Sequence, residues 1–297
     1  MTTTTVSPEQ PRTWKQRRSS IIAALGLLPF GVYTILFLGV PALAVVVGAF
    51  QSPTGGWTWS NISIASHGVY AHGFVTTIEL ALVTSIVPGL AGVVIAYAVL
   101  TMKGNALRRI VSTASGVFAN FGGVPLAFLF IATLGTTGIV TSWLNTLGID
   151  PYQHGFTLFS FIGVSLVYAY FQIPLMILVI TPALEGLRPS WREAAEGMGA
   201  RSWEYWRFVG GPVLFPSFLG GVLLLFGSAL SAYATAEALT SGSIALTSIQ
   251  IGSFLNGNVL AGQQNVGKAL GFGLIVVIAV VMVGYSILQR RSSKWLH

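Results

Sequence analysis

The stretch that decides the reading is Ser190-Trp191-Arg192-Glu193-Ala194-Ala195-Glu196-Gly197-Met198-Gly199-Ala200-Arg201-Ser202-Trp203-Glu204-Tyr205-Trp206-Arg207-Phe208, closing on Pro212 and Pro216. It is the longest strongly charged interval of an otherwise apolar chain, and it lies between two long hydrophobic runs. It reads as two short helices joined by a bend. Ser190 is expected to cap the first, with Glu193 three residues on completing a capping box. Pro189 is expected to stop any helix arriving from upstream. Gly199 suits a helix C-terminus, and Ser202 is expected to cap a second helix running to about Phe208. Pro212 is expected to mark the next break.

The surroundings of this stretch belong to a membrane. Of 297 residues, 53% are hydrophobic and only 8% charged, with a mean hydropathy of +0.75. A soluble domain carries about 25% charged residues. The chain therefore reads as an integral membrane protein. Cysteine is absent, which excludes a disulfide framework, a thiolate nucleophile and a cysteine metal site. Period-2 alternation is not sustained, so a β-barrel is not expected. The fold class is an all-α membrane protein of six transmembrane helices, with the charged stretch as a loop between spans four and five.

In chain order, residues 1–20 form a Thr-rich basic tail. Ile21 to Phe50 is the first span. Ala42-Leu43-Ala44 resembles a signal cleavage site, but the apolar run far exceeds the usual 7–15-residue core, so an uncleaved span is expected. Residues 51–72 form a polar, aromatic-containing loop. The main membrane domain, residues 73–289, holds spans at Gly73–Thr101, Ile110 to about Gly135, Phe156–Leu184, Val213 to about Leu239, and Val266–Gln289. The third is interrupted by Gly122-Gly123-Val124-Pro125. Residues 136–155 form a loop with a short interfacial helix near Trp143 to Ile149. Residues 240–265 form a polar loop, and 290–297 a second basic tail. Each span exceeds the roughly 20 residues a bilayer requires.

Basic residues set the orientation. Arg12, Lys15, Arg17, Arg18, Lys103, Arg108, Arg109, Arg188, Arg192, Arg201, Arg207, Arg290, Arg291 and Lys294 fall on one side, 14 of the 15 Lys and Arg. Only Lys268 falls on the other. Both termini and the Glu193 stretch are therefore expected on the cytoplasmic face. The net charge of +7 is explained by topology, and no nucleic-acid partner is implied.

Glu193-Ala194-Ala195, three residues, Gly199, then nine residues to Val209 and on to Pro212 resembles the "EAA" loop of the membrane subunits of binding-protein-dependent ABC importers. The family pattern continues with Ile, one residue, Leu and Pro. Here Val209 stands for the Ile and Gly211 for the Leu. The resemblance covers roughly Gly73 to the C-terminus. It implies that the loop, 185–212, is cytoplasmic and docks into a cleft on an ATPase subunit through Glu193, Ala194, Ala195, Gly199 and Pro212; Arg201 would serve either the ATPase or anionic headgroups, the commoner fate of such arginines. It also implies ABC ATPase partners, a second permease subunit, identical or homologous, and an extracytoplasmic solute-binding protein. ATP and Mg would be bound by the partner ATPase, and no cofactor or metal by this chain, which has no phosphate-binding Gly-x-x-x-x-Gly-Lys-Ser/Thr loop. Residues 226–273 are similar to the spermidine/putrescine-type branch, so a polyamine is expected somewhat ahead of thiamine, iron, sulfate or phosphonate, with other small polar solutes open. Glu193 is read in the first turn of its helix, where its carboxylate would also stabilise the positive helix end.

Charges within spans are costly and informative. Glu79 and Glu237 are candidate pathway residues that would favour a cation. The alternative is that one of them pairs with Lys268, or that each snorkels to the interface. Asn120, Tyr168, Gln172 and Tyr233 are further candidates, either lining the pathway or hydrogen-bonding between helices. Two other functions would need signals of their own. An intramembrane enzyme would need paired catalytic groups at one depth, whereas His67, His72, His154 and His297 fall in loops or the tail. A stand-alone channel would need a filter-like motif, and none is visible.

Overall fold

The computed structural model describes residues 26–102, 104–257 and 262–293. The tail at 1–20 and residues 294–297 lie outside them. Among the described residues, six helical stretches are long and apolar enough to cross a bilayer. Among the described residues the only β pairing is an isolated bridge between Gln51 and Trp57.

The first span is α1 (Gly26–Ala49), with a π turn at Ile35–Gly39. The expected loop at 51–72 holds a short helix, α2 (Ser60–Ala65). The second span, α3 (Gly68–Thr101), starts five residues earlier than expected and passes through Pro88 unbroken. His72 accordingly lies in a helix, not a loop. The third crossing is in two pieces. Helix α4 (Asn105–Asn120) ends at Phe121-Gly122-Gly123, and α5 (Val124–Leu134) restarts with Pro125 in its first turn. Pro lacks an N–H and sits best where a helix has none to satisfy. Length and apolarity alone would place the third span at Val124–Thr146. That stretch contains a turn at Gly135–Gly138 and a short helix, α6 (Ile139–Thr146). We place the crossing at α4 plus α5, because α4 packs along the fourth span, α7 (Phe161–Glu185).

The charged stretch forms α8 (Pro189–Gly197) and the start of α9 (Ser202–Ser231). The fifth span then breaks at Ala232 and resumes as α10 (Tyr233–Thr240). It was expected to run unbroken to Leu239. The expected polar loop after it contains α11 (Thr247–Leu255), and α12 (Val266–Ser293) is the sixth span.

Helices α3, α7 and α9 form the centre of the molecule. Met176 on α7 is fully buried where all three meet. A Cβ added at Gly92 of α3 would stand 2.6 Å from the Met176 Cβ, and one at Gly221 of α9 2.6 Å from its Sδ. Apolar burial drives little association between helices in lipid, so close approach over small residues supplies packing instead. Helix α1 is peripheral. It touches the rest through α12, where Phe50 meets Phe272 edge-on at 5.2 Å between ring centres.

Candidate functional site

The elbow differs in its joints from what its sequence suggests. Helix α8 begins at Pro189, with extended Arg188 as its N-cap, and no side chain caps it. The fixed ring torsion of proline suits the first helical position. It also forces the preceding residue out of helical space. The start therefore falls one residue before Ser190, and the Ser190–Glu193 capping box does not form. Glu193 is thereby placed in the second turn, and α8 has no acidic residue in its first. Its expected role at the helix dipole is removed, because that effect fades beyond the first turn.

At the other end of α8 the expectation holds. Gly199 has φ +82°, and the Ala200 N–H reaches back 3.0 Å to the Ala195 carbonyl. This is the six-to-one bond of a left-handed helix terminus. A Cβ at Gly199 would meet nothing within 4 Å. The constraint is backbone torsion, not space. Helix α9 starts at Ser202 as its first residue, with Arg201 as N-cap. The Arg201 N–H donates to Glu204 Oε2 at 2.6 Å.

Pro212 does not break the chain. The turn before it, Trp206–Gly210, is a π turn, and the Gly211 N–H bonds to the Trp206 carbonyl five residues back. The wider turn shifts the hydrogen-bond register just ahead of proline, which has no N–H to give. Bulges of this kind relieve such conflicts. A Cβ at Gly211 would stand 2.5 Å from the Trp206 carbonyl oxygen. Glycine in place of the family's leucine is thus tied to this turn. The consequence is one helix of 30 residues, roughly 45 Å long at 1.5 Å per residue. A bilayer core is about 30 Å. The second arm of the elbow is therefore the projecting end of the fifth span, not a separate short helix.

The elbow is anchored on one side only. Ala195 and Tyr205 are buried, whereas Trp191, Glu193, Ala194, Met198, Arg201 and Trp203 are exposed. Trp206 meets Tyr97 of α3 edge-on at 5.0 Å between ring centres. Arg192 Nε donates to Glu196 Oε1 at 2.9 Å along α8. Arg108 of α4 pairs with Glu185 at the end of α7. Neither the Tyr97–Trp206 contact nor the Arg108–Glu185 pair has a sequence signal, because the partners lie far apart in the chain.

Deeper in the membrane, the candidate pathway residues do different things. Tyr168 is fully buried, and its hydroxyl donates to the Ala232 carbonyl at 2.9 Å. It thereby caps the break between α9 and α10. The Gly123 N–H donates to Thr235 Oγ1 at 2.8 Å, so the break in the third crossing is tied to the resumed fifth. Gln172, one turn below Tyr168, is also fully buried, with Nε2 3.3 Å from Thr84 Oγ1 on α3. Thr84 gives its own proton to the Leu80 carbonyl, so it can only accept from Gln172. Gln172 Oε1 is buried without a partner. Asn120 is exposed and bonds back to Gly116. Tyr233 packs against Gly252 of α11, and Glu237 keeps one buried oxygen with no partner. Glu79 is exposed. Among the described residues neither Glu79 nor Glu237 is paired with Lys268. The Lys268 side chain instead lies against Gly48 of α1.

A helical bundle interrupted at two breaks and extended by an elbow has counterparts. The profile of the family "Binding-protein-dependent transport system inner membrane component" matches residues 89–297. The chain belongs to this family. Its members are transport components, and the chain is accordingly a non-catalytic, multi-pass membrane subunit. A sulfate transport permease, CysW, of Synechocystis is 26% identical over 287 residues, covering 95% of this chain and 96% of its own length. The sulfate permease CysT of Escherichia coli is 25% identical, covering 72% of this chain and 73% of its own. A solved bacterial alginate importer, in complex with its alginate-bound periplasmic protein, aligns with a TM-score of 0.73 at 18% identity, over 95% of this chain and 98% of its own. These relatives do not support the expected polyamine branch.

Proposed function

We propose that the chain is one of two permease subunits of an ATP-driven importer, and that α8 with the first turns of α9 is the docking elbow for an ATPase subunit. One observation carries this reading. Glu193 and Ala194 are exposed on a short helix between two spans, and the fold assigns Glu193 no structural work: no cap, no dipole position and no ion pair among the described residues. Force applied to the elbow would pass through the unbroken α9 to the break at Ala232, beside the third-crossing break at Gly123. An extracytoplasmic solute-binding protein delivers the solute, and ATP and Mg act in the ATPase. The charge distribution supports a cytoplasmic face for both termini and the elbow.

The substrate class we infer is a small oxyanion, on the strength of the sulfate permeases among the relatives. The partnerless oxygen of Glu237 favours a cation instead. Uptake of labelled sulfate against labelled putrescine in membrane vesicles separates the two.

The docking reading is tested by co-purification in mild detergent, wild type against Glu193→Lys with Gly199→Trp. Loss of ATPase from a monodisperse variant is expected. Equal retention in both forms would reduce the stretch to a surface elbow, and a wild type that carries no ATPase would overturn the importer reading itself.

A further inference from the structure

We propose that the groove where α3, α4 and α7 meet beside the elbow binds an anionic phospholipid, with the headgroup phosphate held by arginines and an acyl chain along the apolar wall. The groove holds a cavity of about 500 Å³ that takes in Arg108, Arg109, Ser112 and Glu185 at its polar end and Leu100 and Ile177 along its side. A second cavity of about 560 Å³ shares Leu100, Arg108 and Glu185 with it and adds Arg188 and Arg192. The two adjoin at these shared residues, and the second reaches α8 at Pro189 and Arg192.

Charge complementarity selects the ligand. Four arginines line the joined groove against one glutamate, Glu185. Arg108 is paired with Glu185, and Arg192 with Glu196. Arg109 and Arg188 have no acidic partner among the described residues. Guanidinium groups hold phosphate through two parallel N–H donors. The Ser112 hydroxyl stands one turn from Arg108 and can add a second kind of donor. The apolar side selects a lipid over free phosphate, which would leave that wall in water. Basic pockets between membrane helices at the cytoplasmic boundary are suited to such headgroups. The choice of the cytoplasmic leaflet rests on the orientation stated above. The location has a consequence, because a lipid seated here would brace α8 against α3 and α7 at the point where the elbow meets the bundle.

The test uses the complex as extracted, with whatever subunits accompany it. Retained lipid is inventoried by mass spectrometry, and thermal protection is measured on adding phosphatidylglycerol, phosphatidylcholine or inorganic phosphate. The wild type should retain phosphatidylglycerol and be protected by it alone. Arg109→Gln should lower retention severalfold, whereas Arg207→Gln, on the exposed side of the elbow, should not. Ser112→Phe, which fills the groove and leaves its charges, should act like Arg109→Gln and covers the case in which that variant fails to fold. Equal retention in all forms would overturn the proposal, as would protection by phosphatidylcholine or by phosphate alone. A wild type that retains no anionic lipid would overturn it as well and would leave the face to a second permease subunit. The readout needs no ATPase, so ATPase retention scored in the same preparation reports separately on the importer reading.

Discussion

The elbow and the paired breaks in the membrane use polar residues in opposite ways. At the breaks, Tyr168 and Thr235 spend their hydroxyls on backbone groups freed at Ala232 and Gly123. An unsatisfied backbone group in lipid costs several kcal/mol, so these residues are already engaged within the chain. At the elbow, Glu193 and Arg201 face outward. Water satisfies them at no cost until a partner displaces it. The difference separates residues that hold the bundle from residues left open for something outside it. Of the two readings of Tyr168, it supports hydrogen bonding between helices, here as a clamp on a helix break, over lining the pathway.

The sharpest way to break that comparison is to overfill both regions. Gly92→Leu places a side chain against Met176, where even a Cβ would stand at 2.6 Å. Overpacking of this kind costs about 1–3 kcal/mol, and more where backbone must move. Loss of monodisperse protein from detergent extracts is expected, or a fall in melting temperature of many degrees. Gly197→Leu on α8, where a Cβ meets nothing within 4 Å, should leave the melting curve unchanged. If both variants melt alike, the elbow is part of the packed core and the contrast fails.

Sequence reasoning reached the two regions unequally, for physical reasons. The six crossings were legible because each needs a long apolar run. The bend at Gly199 was legible because a left-handed residue in an open position selects glycine. The start of α8 was misread at Ser190, since serine and proline both favour helix starts and the proline torsion decided between them. The continuity of α9 through Pro212 was hidden, because a π turn leaves no residue signature of its own. The break at Ala232 was missed because alanine carries no breaking signal, and its carbonyl is satisfied by Tyr168, 64 residues earlier. Contacts of that separation are set by packing and cannot be read from local pattern.

A smaller effect is expected at that clamp. Tyr168→Phe removes the hydroxyl and leaves the Ala232 carbonyl without its donor. Hydrogen bonds between membrane helices are worth about 0.6–1.7 kcal/mol. The variant should fold, melt slightly lower, retain its ATPase fully and transport more slowly, as vesicle uptake would show. Unchanged transport with lowered stability would make Tyr168 a packing residue only. Loss of ATPase from Tyr168→Phe would show that the two regions are not separable.

The least change in stability is expected at Glu193, and there the comparison is most exposed to failure. An exposed i,i+4 pair such as Arg192–Glu196, with side chains 48% and 54% exposed, is worth about 0.3–0.5 kcal/mol. Glu196→Gln should therefore shift the melting temperature barely measurably and leave ATPase retention intact. Glu193→Gln should shift it less still, because Glu193 has no ion-pair partner among the described residues and lies beyond the first turn of α8. A carboxylate with no work in its own chain has its effect in what it meets. Glu193→Gln should accordingly weaken ATPase retention in a salt-dependent way, as expected of a charge brought against basic groups. A measurable loss of stability with retention unchanged would return Glu193 to the fold and remove the one observation on which the docking reading stands.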